Sequence, residues 1–405
     1  MDGPKSGPSF GKELRMSGTV SGDHAEPKGP LSGMLVVDMS SIVSGPLGSR
    51  ILADLGATVV KIETATSDIA VRSNLPVHQG HSAYHEQLNF GKKSISVDPK
   101  TPEGVKTIRA LCKKADVFFQ NSRPGVMERL GFGYEALKAD NPGLVYVSVT
   151  GFGETGPYAN GVAYDTSIQG LVGFMAAQGT EDAPQAIYSP VADKITAIWA
   201  SHAAMGALLY RERNGGVGQK VVIDMVSAYA SFILVEEMAN ETFRSVEFPT
   251  VHAPKQPYQP LATADGTVVG LILMPQQYKA VCRALGREDL EDDPRFATTP
   301  QLIHGIAEFH KAIAKDVAAI TTEVFLQRMR DSNVPFSRVN NPRDFINSDI
   351  AAATGAFVDI EDDEFGTIRH LNHPVKYSVS PANVGRRAPK IGEHTDEILA
   401  MIAGG

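Results

Sequence analysis

The chain has 405 residues, 42% of them hydrophobic and 21% charged, with a formal net charge of −8. That length supports two or more units and a large core, and that composition is ordinary for a globular protein. The acidic balance excludes nucleic acid as an expected partner, and no apolar run reaches the length of a membrane-spanning helix.

Residues 1–30 are rich in Gly, Pro and Ser and carry no apolar period, so they read as a disordered tail. They lack the apolar core of a signal peptide and the acid-poor, Arg-rich character of a transit peptide. Leu35–Met39 (LVVDM) is a predicted strand, Leu47–Leu55 a helix with Pro46 as its first residue, and Thr58–Ile62 (TVVKI) a second strand. Glu63 mimics the ribose-binding acid of a dinucleotide fold. The turn reads Ser44-Gly45-Pro46-Leu47-Gly48-Ser49, however, and lacks the glycines that admit a pyrophosphate.

His78, His81 and His85 have one-face helical spacing, but Pro76 and Gly80 interrupt the segment. They read as polar or pocket-lining groups, and no metal is expected. Ser94–Asp98 is extended, Glu103–Lys114 helical, and Val117–Gln120 and Leu144–Val149 are strands. Val- and Ile-rich strands separated by helices argue a parallel sheet covered on both faces. Asn121-Ser122-Arg123 and Arg129 follow a strand's carboxyl end, where open α/β sheets bind ligands, and the two arginines read equally as phosphate holders or as solvated surface charge. Cys112 and Cys282 lie in helical text as buried thiols, and a reducing cytoplasm is the expected setting.

Asp193 stands at the start of a helix that is apolar on nearly every side, through Ile198, Trp199, Ala203, Leu208 and Leu209. Such a helix is predicted to be buried, with Asp193 at its N-cap. An acid there either caps the backbone N–H groups or reacts. Residues 219–224 are a further strand and Met225–Met238 a helix. Near residue 245 the pattern changes. Four prolines, a hairpin with Asp265-Gly266 at its turn, and helices near 276–285, 302–316 and 321–332 read as a smaller α+β unit. Short strands and a terminal helix at Glu393–Ile402 follow. The boundaries expected are 31–240 for the first part of the large domain, 241–330 for the small one, and 331–405 for a segment rejoining the large one.

No nucleophile-elbow serine, P-loop or zinc-protease motif occurs. An ordered series of segments does: LSGMLVVDMSSIVSGPLGSRILADLGATVVKIE, LNFGKKSISVDPKTPEG, KADVFFQNSRPGVMERLGFGYEAL, VYVSVTGFGETGPYAN, YDTSIQGLVGFMAAQG, PVADKITA, ALLYRERNGGVGQKVVIDM and KIGEHTDEIL. This series, over roughly residues 31–400, resembles the class III coenzyme A transferases, a family that includes the α-methylacyl-CoA racemases. The resemblance implies a Rossmann-like large domain with a smaller α+β domain, two chains interlocked as a homodimer, and an acyl-CoA thioester and a small carboxylic acid as substrates, with no tightly bound cofactor.

By the same resemblance Asp193 is the nucleophile, forming an aspartyl anhydride and then an aspartyl-CoA thioester. Coenzyme A is placed beside Val43, Ser44, Val97, Asn121, Ser122, Arg129 and Tyr164. The racemases carry a His at the position of Tyr164. Tyrosine, with a reference pKa of about 10, is a poor general base at neutral pH, so transferase leads and racemase or a silent CoA-ester binder follows. Formyl-CoA transferases carry Gln at the position of Val43, Arg at that of Thr64, and a glycine-rich loop where this chain has His252–Tyr258, which argues against formyl-CoA and oxalate as the substrates. Arg72, His78, His81 and His85 are the candidates for gripping an acidic acceptor.

Overall fold

The computed structural model describes residues 29–246 and 259–404. Residues 1–28, most of the expected tail, and the segment 252–258 lie outside them. Six parallel strands form the central sheet: β1 (Leu35–Asp38), β2 (Thr58–Glu63), β3 (Lys93–Ser96), β4 (Val117–Gln120), β5 (Val145–Thr150) and β6 (Lys220–Asp224). Their spatial order is β3-β2-β1-β4-β5-β6. Val36 pairs with Val59 on one side and Val117 on the other, which fixes the register at the centre. Strand order reverses between β1 and β4, and a crevice opens at their carboxyl ends.

Both faces are covered, as the unbroken apolar text of the strands requires. One core holds Val36, Val59, Phe119 and Val147 against Ala200, Ala204 and Leu208. The other holds Val37, Val60, Phe118 and Tyr146 against Ile108, Leu111 and Phe132. Helix α1 (Ser44–Asp54) begins three residues before the predicted Leu47, so Ser44 and not Pro46 opens it. Helix α2 (Ala83–Asn89) carries His85, whereas His78 and His81 flank a tight turn. Helix α3 (Pro102–Lys114) is capped by Thr101, whose hydroxyl accepts from the Gly104 N–H.

The smaller unit has a three-stranded antiparallel sheet, with Leu261–Ala262 and Phe336–Arg338 flanking Thr267–Gly270. Helices 275–285, 299–318 and 322–331 close its core around Tyr278, Phe309 and Phe325. The strand at 336–338 therefore lies past the boundary at 330 that the sequence suggested, because short strands give weak periodicity. An antiparallel hairpin, 357–362 with 366–371, follows. The chain then returns to the large sheet: the Gly91 N–H donates to Arg386 O at 2.8 Å and the His394 N–H to Ser94 O at 2.9 Å.

Beneath the crevice lies a buried charge network. Asp38, at the end of β1, accepts from Lys92 Nζ at 2.9 Å, from Ser49 Oγ at 2.6 Å and from the Ser40 N–H at 2.9 Å. Lys92 also donates to Pro46 O and Asn89 Oδ1, and Lys61 donates to Ser40 O and Asp68. Burial alone would raise the Asp38 pKa, but Lys92, Lys61 and the two serine hydroxyls together hold it well below the carboxylate range. Every charge is paired, and the loop from β1 to α1 is fastened to the sheet. Asp38→Ala strands Lys92 in the interior and is expected to cost about 3–5 kcal/mol in urea unfolding, whereas the double replacement Asp38→Leu/Lys92→Met recovers much of that loss.

Candidate active site

Helix α4 (Asp165–Leu171), helix α5 (Val191–Arg213) and helix α6 (Met225–Ile233) complete the large unit. Asp193 is the third residue of α5, and Pro190 occupies the N-cap, so the expected capping position is corrected. The Asp193 side chain is therefore free of a capping role. Nor is α5 buried all round: Ala197, Ala200 and Ala204 pack inward while Ile198, Trp199, Leu209 and Tyr210 are 40–52% exposed on this chain. Small residues on the inner face let α5 approach α1 closely, and a Cβ on Gly48 would sit 3.2 Å from Ala197 O.

The N-termini of α1 and α5 consequently meet at the crevice. Ser44, the first residue of α1, and Asp193, in the first turn of α5, line one cavity there. The Asp193 N–H donates to Asp165 Oδ2 at 3.0 Å, and Gln169 Nε2 donates to Asp165 Oδ1 at 2.6 Å. Gln169 also accepts from the Ile187 N–H and donates to Ser189 O, fixing the loop that leads into α5. Burial pushes the Asp193 pKa up to about 6; Ser44 opposes this and the neighbouring Asp165 charge adds to it.

A cavity of about 270 Å³ opens over Asp193. Of the site residues expected from sequence, Ser44, Asn121, Ser122, Tyr164 and Asp193 line it together. Arg123 stands on its rim. Val97 lines an adjoining depression of about 230 Å³ that shares Ser41 and Ser122 with the first. Val43 and Arg129 line neither. Val43 is 4% exposed and packs against Val71 and Leu88, while Arg129 stands exposed on the short helix 126–130.

The proposed acid-gripping residues are elsewhere. Arg72 is held by Glu63 at 2.6 Å, His85 is fully buried, and His78 and His81 line a separate pocket with Phe365 and Arg369. Glu63 is thereby committed to Arg72 and to Ser94. Sequence reasoning missed Tyr84 and the roles of Asp165 and Gln169. Tyr84 is half-buried beside both acids; burial and then the charges of Asp193 and Asp165 raise its pKa, so its phenol stays protonated. Nothing in AYHEQLN signals that position, although the Asp165–Gln169 spacing of four could have suggested a helical side-chain pair. Among the described residues no group of three His, Cys, Asp or Glu side chains is arranged to hold a metal.

A carboxylate set at a doubly wound sheet's reversal point, beneath an apolar and polar cavity, is suited to covalent group transfer. The profile of CoA-transferase family III matches residues 31–395, and the chain belongs to that family. It is 31% identical to the succinate–glutarate CoA-transferase of Agrobacterium fabrum, over 94% of this chain and 97% of the relative. It is 30% identical to the formyl-CoA:oxalate CoA-transferase of Streptomyces avermitilis, over 91% and 94%. The crystal structure of a CAIB/BAIF family protein from Brucella suis superposes with a TM-score of 0.81 at 30% identity, covering 93% of this chain and all of that one.

The raised pKa of Asp193 has a stability consequence. The unfolded group titrates near the model value of 3.8 and the folded one near 6, so the native state binds the extra proton between them and loses stability as pH rises through that window. Asn cannot ionise. Asp193→Asn is expected to be more stable than the parent at pH 8 by about 1–2 kcal/mol in urea unfolding, with the gap closing below pH 4.

Proposed function

We propose that the protein transfers coenzyme A from an acyl-CoA to a carboxylic acid through covalent intermediates on Asp193. The observation that carries this reading is the half-buried Asp193 carboxyl in a cavity that gathers five of the sequence-expected site residues. Asp193 Oδ attacks the thioester carbonyl carbon; the C–S bond breaks, and CoA thiolate leaves a mixed anhydride. The thiolate attacks Asp193 Cγ and expels the donor acid as its carboxylate, leaving an aspartyl-CoA thioester. The acceptor carboxylate attacks Cγ in turn and releases the thiolate, which then takes the acceptor acyl group and frees Asp193. No proton is gained or lost overall, so the site needs no general acid.

An anhydride and a thioester are both open to water, and a nucleophile set in a crevice limits that loss. Ser41 and Ser122 line both the Asp193 cavity and its neighbour, giving room for the long coenzyme, and the exposed Arg123 suits an anionic substrate group. Succinate, glutarate and oxalate name the relatives' acids. Short dicarboxylic acids are accordingly the substrate class proposed here, with succinyl-CoA as first donor. The racemase alternative needs a second base across the α-carbon, and no imidazole lines the described part of the cavity.

The exposed apolar ridge of α5, continued by Phe232 and Val235, supports a homodimer as the working form. Sedimentation equilibrium should give twice the chain mass, and a monomer mass at assay concentration would reject it. For the chemistry, Asp193→Asn should lower transfer from succinyl-CoA to glutarate by several orders of magnitude, on the scale of losing a covalent nucleophile. Hydroxylamine quenching of the wild-type enzyme with succinyl-CoA should leave a hydroxamate on the peptide that carries Asp193. In the free enzyme kcat/KM should rise as pH climbs through about 6 and then level off, because the carboxylate form attacks. A hydroxamate mapped to Asp165 would sink the assignment.

A further inference from the structure

We propose that Gln169 is the positioning residue for Asp193: its buried amide fastens Asp165 to the loop that enters α5, and that clamp sets where the Asp193 backbone stands. The role in turnover rests on the reading of Asp193 as nucleophile; the clamp itself does not.

Helix α5 starts without a cap of its own. Its N-cap is Pro190, which carries no polar side chain to cap with. An N-cap side chain ordinarily accepts from the N–H two or three residues on, and three residues on from Pro190 is Asp193. That N–H is served from another helix: Asp165 Oδ2, on α4, accepts it at 3.0 Å. The acid also sets a negative charge at the positive end of the α5 dipole.

Asp165 is held in turn by Gln169, one turn further along α4. Gln169 Nε2 donates to the other oxygen, Oδ1, at 2.6 Å. The same nitrogen reaches Ser189 O at 3.1 Å and Ile187 O at 3.3 Å, while Oε1 accepts from the Ile187 N–H at 3.0 Å. Gln169 is 2% exposed, so water does not compete for these bonds. One planar amide thus grips the chain before Pro190 and, through Asp165, the chain after it. Ile168 and Ala192, both fully buried, join α4 and α5 in one apolar cluster alongside.

The chemistry of the clamp calls for an amide. A carboxyl there could donate to Asp165 only while protonated, and a hydrocarbon could not donate at all. Gln169 lines neither the Asp193 cavity nor its neighbour, so it acts through Asp165 and the loop. A nucleophile misplaced by about 1 Å costs on the order of 100-fold in rate, so a loosened clamp belongs in kcat and not in coenzyme binding. The other titratable groups near the clamp are Tyr84 and Tyr229, whose phenols burial and then nearby acid charge keep protonated, and Lys194, which donates to Ser189 Oγ at 2.8 Å.

Gln169→Met keeps the length and removes every polar contact. Gln169→Glu keeps the shape and an acceptor oxygen but sets a second carboxyl against Asp165. With succinyl-CoA and glutarate, Gln169→Met should lose about 10- to 100-fold in kcat, with KM for succinyl-CoA nearly unchanged. The ratio of Gln169→Glu to wild-type kcat should be highest at about pH 5 and fall as pH rises, because only the protonated glutamic acid can donate to Asp165. Amide hydrogen exchange of the 187–193 segment, read by mass spectrometry on ligand-free protein, should quicken in Gln169→Met. Unchanged exchange overturns the clamp, whether or not the wild type transfers CoA. Faster exchange with unchanged kcat overturns the positioning role; so does a kcat loss matched by lost coenzyme affinity, or a Gln169→Glu ratio that ignores pH. If Gln169→Met does not fold, exchange and the pH ratio are both read on Gln169→Glu and decide in the same way. Absence of the Asp193 hydroxamate in wild type removes the nucleophile reading and the positioning role with it, while exchange still decides the clamp.

Discussion

The ion pair of Asp38 with Lys92 is the constraint on which the site depends. Both side chains are fully buried, so neither charge is tolerable without the other. Their partners include Ser40, Pro46 and Ser49, all on the path from β1 into α1. The pair therefore does more than survive burial: it fixes where α1 begins. The start of α1 sets Ser44, which lines the same cavity as Asp193. A stable hydrophobic pair in its place would keep the sheet packed, but it would offer nothing to hold Ser49 Oγ or the Pro46 carbonyl.

Asp193 and Asp165 show how one stretch of chain gives two acids different environments. Asp165 is satisfied on both oxygens by the Asp193 N–H and the Gln169 amide. Asp193 has Ser44 alone against a larger desolvation, and its pKa rises to about 6. An acid raised that far is still largely ionised at neutral pH, yet poorly solvated. That combination suits a nucleophile which must also leave as a carboxylate.

Much of the central sheet was legible. Runs such as LVVDM, TVVKI and LVYVSV are apolar on both faces, and a parallel strand under two helical layers demands that pattern. Asp193 was legible because an acid at the head of so apolar a helix is conspicuous. Its capping position was misjudged, since the turn chemistry of Ser189-Pro190 outweighed the usual preference for Asp at the N-cap. The apolar Ile198, Trp199 and Leu209 read as burial all round, yet they stand 40–52% exposed on this chain, because apolar composition does not say which face meets the core. Val43 and Arg129 were placed by position in a motif, and a motif fixes backbone proximity without fixing where a side chain ends. Asp165 and Gln169 offered only their spacing of four, and Tyr84 had no signal, because its meaning lies in charges about a hundred positions further along the chain.

Helix α5 is 23 residues long and continuous from the cavity to the amino ends of β4 and β5. At 1.5 Å per residue, Arg211 stands about 27 Å from Asp193 along the axis. There Arg211 is moored to Asp116 at 2.9 Å and to the Gly143 carbonyl at 3.2 Å. The helix thus behaves as a strut fastened at both ends, and its outward ridge lies between the fastenings. Whatever leans on Trp199 or Tyr210 presses on the same rod that positions Asp193. The Asp193 carboxyl therefore inherits its position from anchors at the opposite end of the sheet as well as from its immediate neighbours.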